Sequence, residues 1–190
     1  MTTTDTRISR CNFKSSAAAP VGVFGMGNLL RSDDGFGPRV VQHIDSTFEF
    51  SPAVHVADLG TPGLDLAMHI AGFEFLILID TIMMDGQPGQ LWRLAGQDLV
   101  PSKLRGGSGD VHPQMTSHDA GLADALWLAE LSGRPPGDVV LIGVTPGCLA
   151  QGMGLSAAVE AAIEPAVRAV LDELRRAGVE VLPHQPAYTV

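Results

Sequence analysis

Unbroken apolar runs alternate with amphipathic stretches along this chain. Residues 21–24, 75–79 and 139–144 are apolar at every position rather than at alternate positions. Continuous hydrophobicity is typical of parallel strands that are covered on both faces of a sheet. Residues 54–58 predict a further strand, and residues 90–94 predict a shorter strand at the sheet edge.

The segments between these runs show the spacing of helices. Residues 38–48 place Val40, Val41 and Ile44 on one face, which predicts a core-facing helix. Pro165 lies within an apolar stripe of helical period, where it is expected to kink or split the helix. Helices are predicted over residues 38–48, 64–70, 118–131 and about 159–174.

Alternation of strands and helices predicts a single α/β domain of three layers. We expect a mostly parallel, twisted sheet of about five strands with helices on both faces. The domain is assigned to residues 21–183, between a flexible extension at residues 1–20 and a tail at residues 184–190. The chain after Gly178 is predicted to end in a polar tail that contains proline. Residues 97–114 are rich in Gly, Pro and Ser and predict a mobile loop.

Composition narrows the class of protein. The 190 residues are 45% hydrophobic and 17% charged, which is enough for a core without disulfides. A net charge of −9 argues against binding of nucleic acid. The two cysteines, Cys11 and Cys148, form no CxxC pair, so a disulfide framework and a Cys-rich zinc site are excluded. Without a bilayer-length apolar run or a signal sequence, we expect a cytoplasmic protein that is not membrane-bound.

A glycine-containing loop after the first strand carries two adjacent carboxylates, Asp33 and Asp34. Gly25 and Gly27 allow the backbone to turn tightly. In α/β sheets the carboxyl ends of strands are where ligands usually bind. Asp also favours turns and helix caps, a role that suits Asp33. Asp34 would then point into a cleft.

Two further residues, Asp80 and His118, could bind a metal together with the carboxylate of Asp34. Asp80 ends the most hydrophobic strand, where a carboxylate either caps the turn that follows or meets a partner, a ligand or water. Parallel strands would bring Asp80 to the edge that carries Asp34.

His118 is the third candidate residue. It shares a helical face with Leu122 and Ala125, which fits either a core histidine or a ligand. The N-terminus of a helix would keep its imidazole neutral. Two carboxylates and an imidazole predict a reactive metal site.

Other catalytic and nucleotide-binding motifs are missing from the sequence. The GxGxxG fingerprint would begin at Gly25 and needs glycine as its sixth residue. That residue is Leu30, so the fingerprint is broken. The sequence has no P-loop, no GxSxG elbow and no HExxH.

The chain resembles the NiFe-hydrogenase maturation endopeptidases over about residues 21–183. This likeness implies that those residues form a peptidase domain. The resemblance rests on GMGNLLRSDDGFG at residues 25–37, DLGTPG at 58–63, LIDTI at 78–82, SHDAGL at 117–122, GVTP at 143–146 and VEAAIEP at 159–165.

That resemblance implies both an activity and a set of site residues. Members remove the C-terminal extension of a nickel-loaded hydrogenase large-subunit precursor, and their metal-binding triad corresponds by position to Asp34, Asp80 and His118. Some members have Glu at the position of Asp34. The likeness implies that the nickel belongs to the substrate rather than to the free enzyme. The expected substrate cleft comprises Gly25, Gly27, Asn28, Gly60 and Thr61.

The chemistry of cleavage stays open at this point. No residue can be assigned as a nucleophile, so water is the expected attacking group, assisted either by metal or by a carboxylate base. A non-catalytic protein that recognises or scaffolds a nickel site is one alternative function. A nucleotide-binding α/β domain is the other, because this fold class serves many functions.

Overall fold

The computed structural model describes residues 20–99 and 121–184, which form seven strands and five α-helices. The strands are β1 (Val21–Gly25), β2 (Phe48–Ser51), β3 (Val54–Asp58), β4 (Phe75–Thr81), β5 (Leu91–Ala95), β6 (Asp138–Val144) and β7 (Glu180–Pro183). The helices are α1 (Phe36–Thr47), α2 (Leu66–Ile70), α3 (Gly121–Leu131), α4 (Ala157–Glu160) and α5 (Ile163–Arg176). Short 3-10 helices cover Ser32–Gly35, Gly63–Asp65 and Gly96–Leu99.

Five strands form the central sheet in the order β3-β1-β4-β6-β5. All neighbours are parallel except β5, which pairs with β6 in the antiparallel sense. The mostly parallel sheet of about five strands is therefore confirmed, and residues 90–94 do approximate an edge strand. Within the described helices, none is both long and apolar enough to cross a membrane.

Successive side chains of the sheet enter two separate hydrophobic clusters. Ile77 and Ile79 lie in the cluster formed with α1 and α5. Leu76 and Leu78 lie in the cluster formed with α2 and α3 on the opposite face. Burial on both faces explains why β4 is continuously apolar. The three-layer prediction is confirmed.

The start of α1 lies directly on the ends of two strands. A Cβ at Gly37 would collide with the carbonyl oxygens of Met26 and Ile79, so glycine permits this close approach. The helix begins at Phe36, two residues before the predicted start, and Pro38 lies in its first turn, where a missing N–H costs no hydrogen bond.

The last helical region confirms the predicted interruption. It consists of α4 and α5, separated at residues 161–162. Pro165 occupies the first turn of α5, where proline is tolerated, rather than the interior of one long helix.

An antiparallel ribbon formed by β2 and β7 corrects two sequence expectations. Phe48 begins β2 instead of ending α1, and the segment after Gly178, predicted only as a polar tail, contains the strand β7. Phe50 and Val181, which are register partners, both pack against the core. Pairing between segments so distant in sequence leaves little local pattern to detect.

Several predictions fall outside the described residues. These are the extension at residues 1–19, the tail at residues 185–190, and most of the loop predicted at residues 97–114. The predicted helix at residues 118–131 is described from Gly121 onward.

A buried carboxylate, Glu173, joins β5 to α5. Glu173 is 4% exposed and accepts two hydrogen bonds from Arg93, at 2.8 Å from Nε and 3.0 Å from Nη2. Arg176 also binds Glu173. The hydrogen bonds from Arg93 lower the pKa of Glu173 below its ordinary value of 4.5.

Candidate active site

The loop after β1 brings Asp34 into the interior of the protein. Gly27 has a φ of +138°, and a Cβ there would collide with the carbonyl oxygen of Asp34. Glycine therefore allows the loop to fold back over the 3-10 helix Ser32–Gly35. The Asp34 side chain is fully buried. Its Oδ2 accepts a hydrogen bond from the Asn28 backbone N–H at 3.1 Å, and its Oδ1 accepts one from Thr81 Oγ1 at 3.3 Å.

Asp80 lies at the carboxyl edge of the sheet, in the last two residues of β4. The strand extends to Thr81, so Asp80 is inside it rather than just after it. Pairing of Gly25 with Ile79 places Asp80 one residue beyond the end of β1. Asp80 is 1% exposed, and its Oδ1 accepts a hydrogen bond from the Thr81 N–H at 2.7 Å.

Thr81 links the two carboxylates. Its backbone N–H binds Asp80 and its hydroxyl binds Asp34. Two aspartates that are far apart in sequence thus lie beside one residue at one edge of the sheet. Thr81 was not predicted as a site residue; its position directly after Asp80 was the available signal.

His118 lies outside the described residues. Within residues 20–99 and 121–184, no group of three or more His, Cys, Asp or Glu side chains is arranged to hold a metal ion. The described part of the predicted triad is therefore the Asp34 and Asp80 pair.

A cleft of about 340 Å³ opens between the loops that follow β1 and β3. A hydrogen bond of 2.8 Å from Gly27 N–H to the Gly60 carbonyl joins these loops. The lining residues are Gly27, Asn28, Leu29, Asp58, Gly60 and Thr61.

Four of the five residues predicted for the substrate cleft line this space. The fifth, Gly25, lies within β1, where a Cβ would collide with the backbone of Gly37. Leu29 and Asp58 line the cleft but were not predicted there. Asp58 also accepts a hydrogen bond of 2.9 Å from Gly60 N–H, which stabilises the turn after β3. Its position at a strand end, like that of Asp80, was the signal for the cleft.

Asp33 is buried beside Asp34 but binds a different part of the chain. Its carboxylate accepts hydrogen bonds from three residues that follow β6: Gly147, Cys148 and Ser156. Ser156 is the N-cap residue of α4. Asp33 thus has the backbone-binding role expected of it, but it binds a distant helix start rather than its own helix.

Exposed apolar side chains border this edge of the sheet. Leu30 is 63% exposed and Met153 is 83% exposed. Their segments are joined because Gly152 N–H donates to the Leu30 carbonyl at 3.0 Å. The open cleft and this apolar border form a surface, next to the buried carboxylates, that is suited to a peptide segment.

Comparison with known proteins gives consistent matches. The sequence profile of a family described as "HycI: Hydrogenase maturation protease" matches residues 38–173. The chain is 34% identical over 164 residues to the Hydrogenase 2 maturation protease of Escherichia coli (strain K12), covering 86% of this chain and 95% of that protein. It is 37% identical over 164 residues to the hydrogenase expression/formation protein HoxM of Cupriavidus necator, covering 86% and 78% respectively. The solved structure of the hydrogenase maturating endopeptidase HybD from E. coli superposes with a TM-score of 0.75 at 32% identity, covering 87% of this chain and 98% of that one.

Proposed function

The chain belongs to the hydrogenase maturation protease family and is an endopeptidase, and from this premise we propose that it removes the C-terminal extension of a nickel-loaded NiFe-hydrogenase large-subunit precursor. Family membership confirms the resemblance inferred from the sequence motifs. The nickel-bearing precursor is the substrate in this proposal, so the metal arrives with the polypeptide that is cleaved.

The observation that carries the proposal is the pair of carboxylates beside Thr81. Asp34 and Asp80 are both almost completely buried at the carboxyl edge of the sheet, and their oxygens are oriented by hydrogen bonds. Fixed carboxylates can bind a divalent cation without reorganising. We assign His118 as the third group that binds the nickel of the precursor, since imidazole suits nickel.

Recognition of nickel would position the scissile peptide in the neighbouring cleft. Gly27, Asn28, Gly60 and Thr61 line that cleft, and the first two belong to the loop that leads from β1 to Asp34. Water is the proposed attacking group. Either the nickel of the substrate polarises the water or the carbonyl, or a carboxylate accepts the proton of the water.

The two alternative functions fit less well. A non-catalytic nickel-recognition or scaffold protein would share the carboxylates, but membership of a protease family favours cleavage. A nucleotide-binding domain would need a phosphate-binding loop. Here the loop after β1 instead brings a buried carboxylate, Asp34, to the edge of the sheet.

The proposal is tested by incubating the purified protein with nickel-loaded precursor and following loss of the C-terminal peptide by mass spectrometry. Asp34→Asn, Asp80→Asn and His118→Ala should each slow cleavage by about 100-fold or more. Two exposed residues provide matched controls that should cleave at the wild-type rate. The control variants are Asp138→Asn, at the amino edge of the sheet, and His69→Ala, on α2.

Each result has a direct consequence. Full activity in His118→Ala would remove that residue from the triad. Precursor binding without cleavage by the wild-type protein would favour the scaffold alternative instead.

A further inference from the structure

We propose that Asp33 is a positioning residue for the peptidase reaction, a role that rests on the function proposed above. It holds the 145–156 loop, defined as the residues between β6 and α4, against the 3-10 helix that carries Asp34. Asp33 does not itself contact the substrate in this proposal; it acts through its neighbour.

Asp33 is fully buried and accepts four hydrogen bonds from this loop. Oδ2 accepts from Gly147 N–H at 2.8 Å, from Cys148 N–H at 2.8 Å and from Ser156 Oγ at 2.9 Å. Oδ1 accepts from Ser156 N–H. The Asp33 N–H in turn donates to the Cys148 carbonyl at 3.1 Å. Bonds to an ionised carboxylate are stronger than bonds between neutral groups, so this contact fixes the loop firmly.

The 145–156 loop begins at the same sheet edge as the two site carboxylates. Val144, the last residue of β6, pairs with Thr81 in the parallel register. Further along, Ser32 N–H donates to the Gly152 carbonyl at 2.9 Å. The loop therefore runs from the side of Thr81 to the helix Ser32–Gly35, which carries Asp34.

Its four hydrogen bonds allow Asp33 to set the orientation of the helical turn that it shares with Asp34. Three of the four hydrogen bonds that Asp33 accepts measure 2.8–2.9 Å, so the loop holds this turn through several short contacts. In one short turn, rotation of the backbone at Asp33 moves Asp34 as well. Misplacement of a reacting group by about 1 Å can lower a rate by about 100-fold.

Asp33→Asn tests this role because the amide keeps the shape of the side chain. Its NH₂ group replaces one acceptor oxygen and faces an N–H donor of the loop. We expect kcat for cleavage of the nickel-loaded precursor to fall about 10-fold or more while KM stays within about twofold. Amide hydrogen exchange at Gly147 and Cys148 should become faster in the same variant.

Glu173→Gln is the matched control. Glu173 is also a buried carboxylate with several hydrogen bonds, but it lies on α5 and binds Arg93 and Arg176. Its loss should lower the unfolding temperature and leave kcat unchanged. A purely structural role of Asp33 predicts the same behaviour for both variants.

A milder variant decides the question if Asp33→Asn does not fold. Ser156→Ala removes one of the four hydrogen bonds and keeps the backbone contacts. It should lower kcat about threefold, and Ser156→Thr, which retains a hydroxyl, should restore it.

The outcomes separate the two proposals. Absence of cleavage by the wild-type protein would contradict the proposed function. If the wild-type protein cleaves the precursor and Asp33→Asn has an unchanged kcat, only the positioning role is overturned. If Asp33→Asn does not fold, an unchanged kcat in Ser156→Ala has the same consequence. Unchanged exchange of the Gly147 and Cys148 amides would also overturn it.

Discussion

Two regions of this protein bury carboxylates, and they stabilise them in different ways. On α5, Glu173 is bound by the guanidinium groups of Arg93 and Arg176. At the carboxyl edge of the sheet, the donors described for Asp34 and Asp80 are backbone N–H groups and the Thr81 hydroxyl.

The kind of donor determines what each region can do. Guanidinium groups compensate the charge of Glu173, which makes that contact a link between β5 and α5. The donors described for Asp34 and Asp80 are neutral, and they orient these carboxylates. The α5 contact is thus suited to stabilise the fold, and the sheet edge holds the two carboxylates that we assign to recognition of substrate nickel.

The largest expected effect comes from neutralising a site carboxylate. Asp80→Asn should slow cleavage by about 100-fold or more and change the free energy of unfolding by less than about 1 kcal/mol, since the amide oxygen can still accept the Thr81 N–H. Cleavage assays and thermal unfolding of the same preparation check both values. If Asp80→Asn lost stability but cleaved at the wild-type rate, Asp80 would stabilise the fold, as we assign to Glu173, rather than act in cleavage.

Neutralising the carboxylate on α5 should give the opposite pattern. Glu173→Gln should lower the free energy of unfolding by about 1–2 kcal/mol. This is less than for a fully buried ion pair, because the Arg93 side chain is 50% exposed and solvent screens its charge. The cleavage rate should stay at the wild-type value. Urea unfolding monitored by circular dichroism measures the difference, and a slower rate in this variant would show that the two regions are coupled.

The stability contribution of Glu173 should depend on pH in a defined direction. Its pKa in the folded protein is lower than 4.5, its ordinary value, because Arg93 donates to the ionised form. The contribution is therefore fully present above the unfolded pKa and is lost as pH falls through the folded pKa. The stability difference between wild type and Glu173→Gln should shrink below about pH 4.5. A difference that grew on acidification would contradict this assignment.

The smallest expected effect comes from the hydroxyl that joins the site carboxylates. Thr81→Val removes the 3.3 Å hydrogen bond to Asp34 and keeps the backbone bond to Asp80. Cleavage should slow about two- to fivefold, as expected for loss of one long hydrogen bond. Steady-state kinetics would measure this change. A rate equal to that of the wild type would show that Thr81 does not orient Asp34.

Much of the fold could be predicted because its signals are local. The run at residues 75–79 indicated a strand covered on both faces, and β4 is such a strand. Pro165 indicated an interrupted helix, and the chain does divide into α4 and α5 there. The β2–β7 ribbon was missed because its short strands are defined by each other rather than by a pattern within either segment.

The site was predictable to the extent that strand ends define it. Asp80 could be placed near the Asp34 loop because parallel strands end at one edge. The partners of Asp33 could not be predicted, since Ser156 lies 123 residues away and no periodicity connects them. Thr81 and Asp58 were not predicted, although each is the last residue of a strand, next to the position that identified Asp80.

Recognition of substrate nickel is the central claim, and one measurement tests it most directly. Nickel-loaded and nickel-free precursor, at equal concentration and with equal amounts of the protein, are compared by the rate of C-terminal peptide release in mass spectrometry. We predict release about 10–100-fold faster from the nickel-loaded precursor, with the difference abolished in Asp34→Asn. Equal release from both precursors by the wild-type protein would contradict nickel recognition.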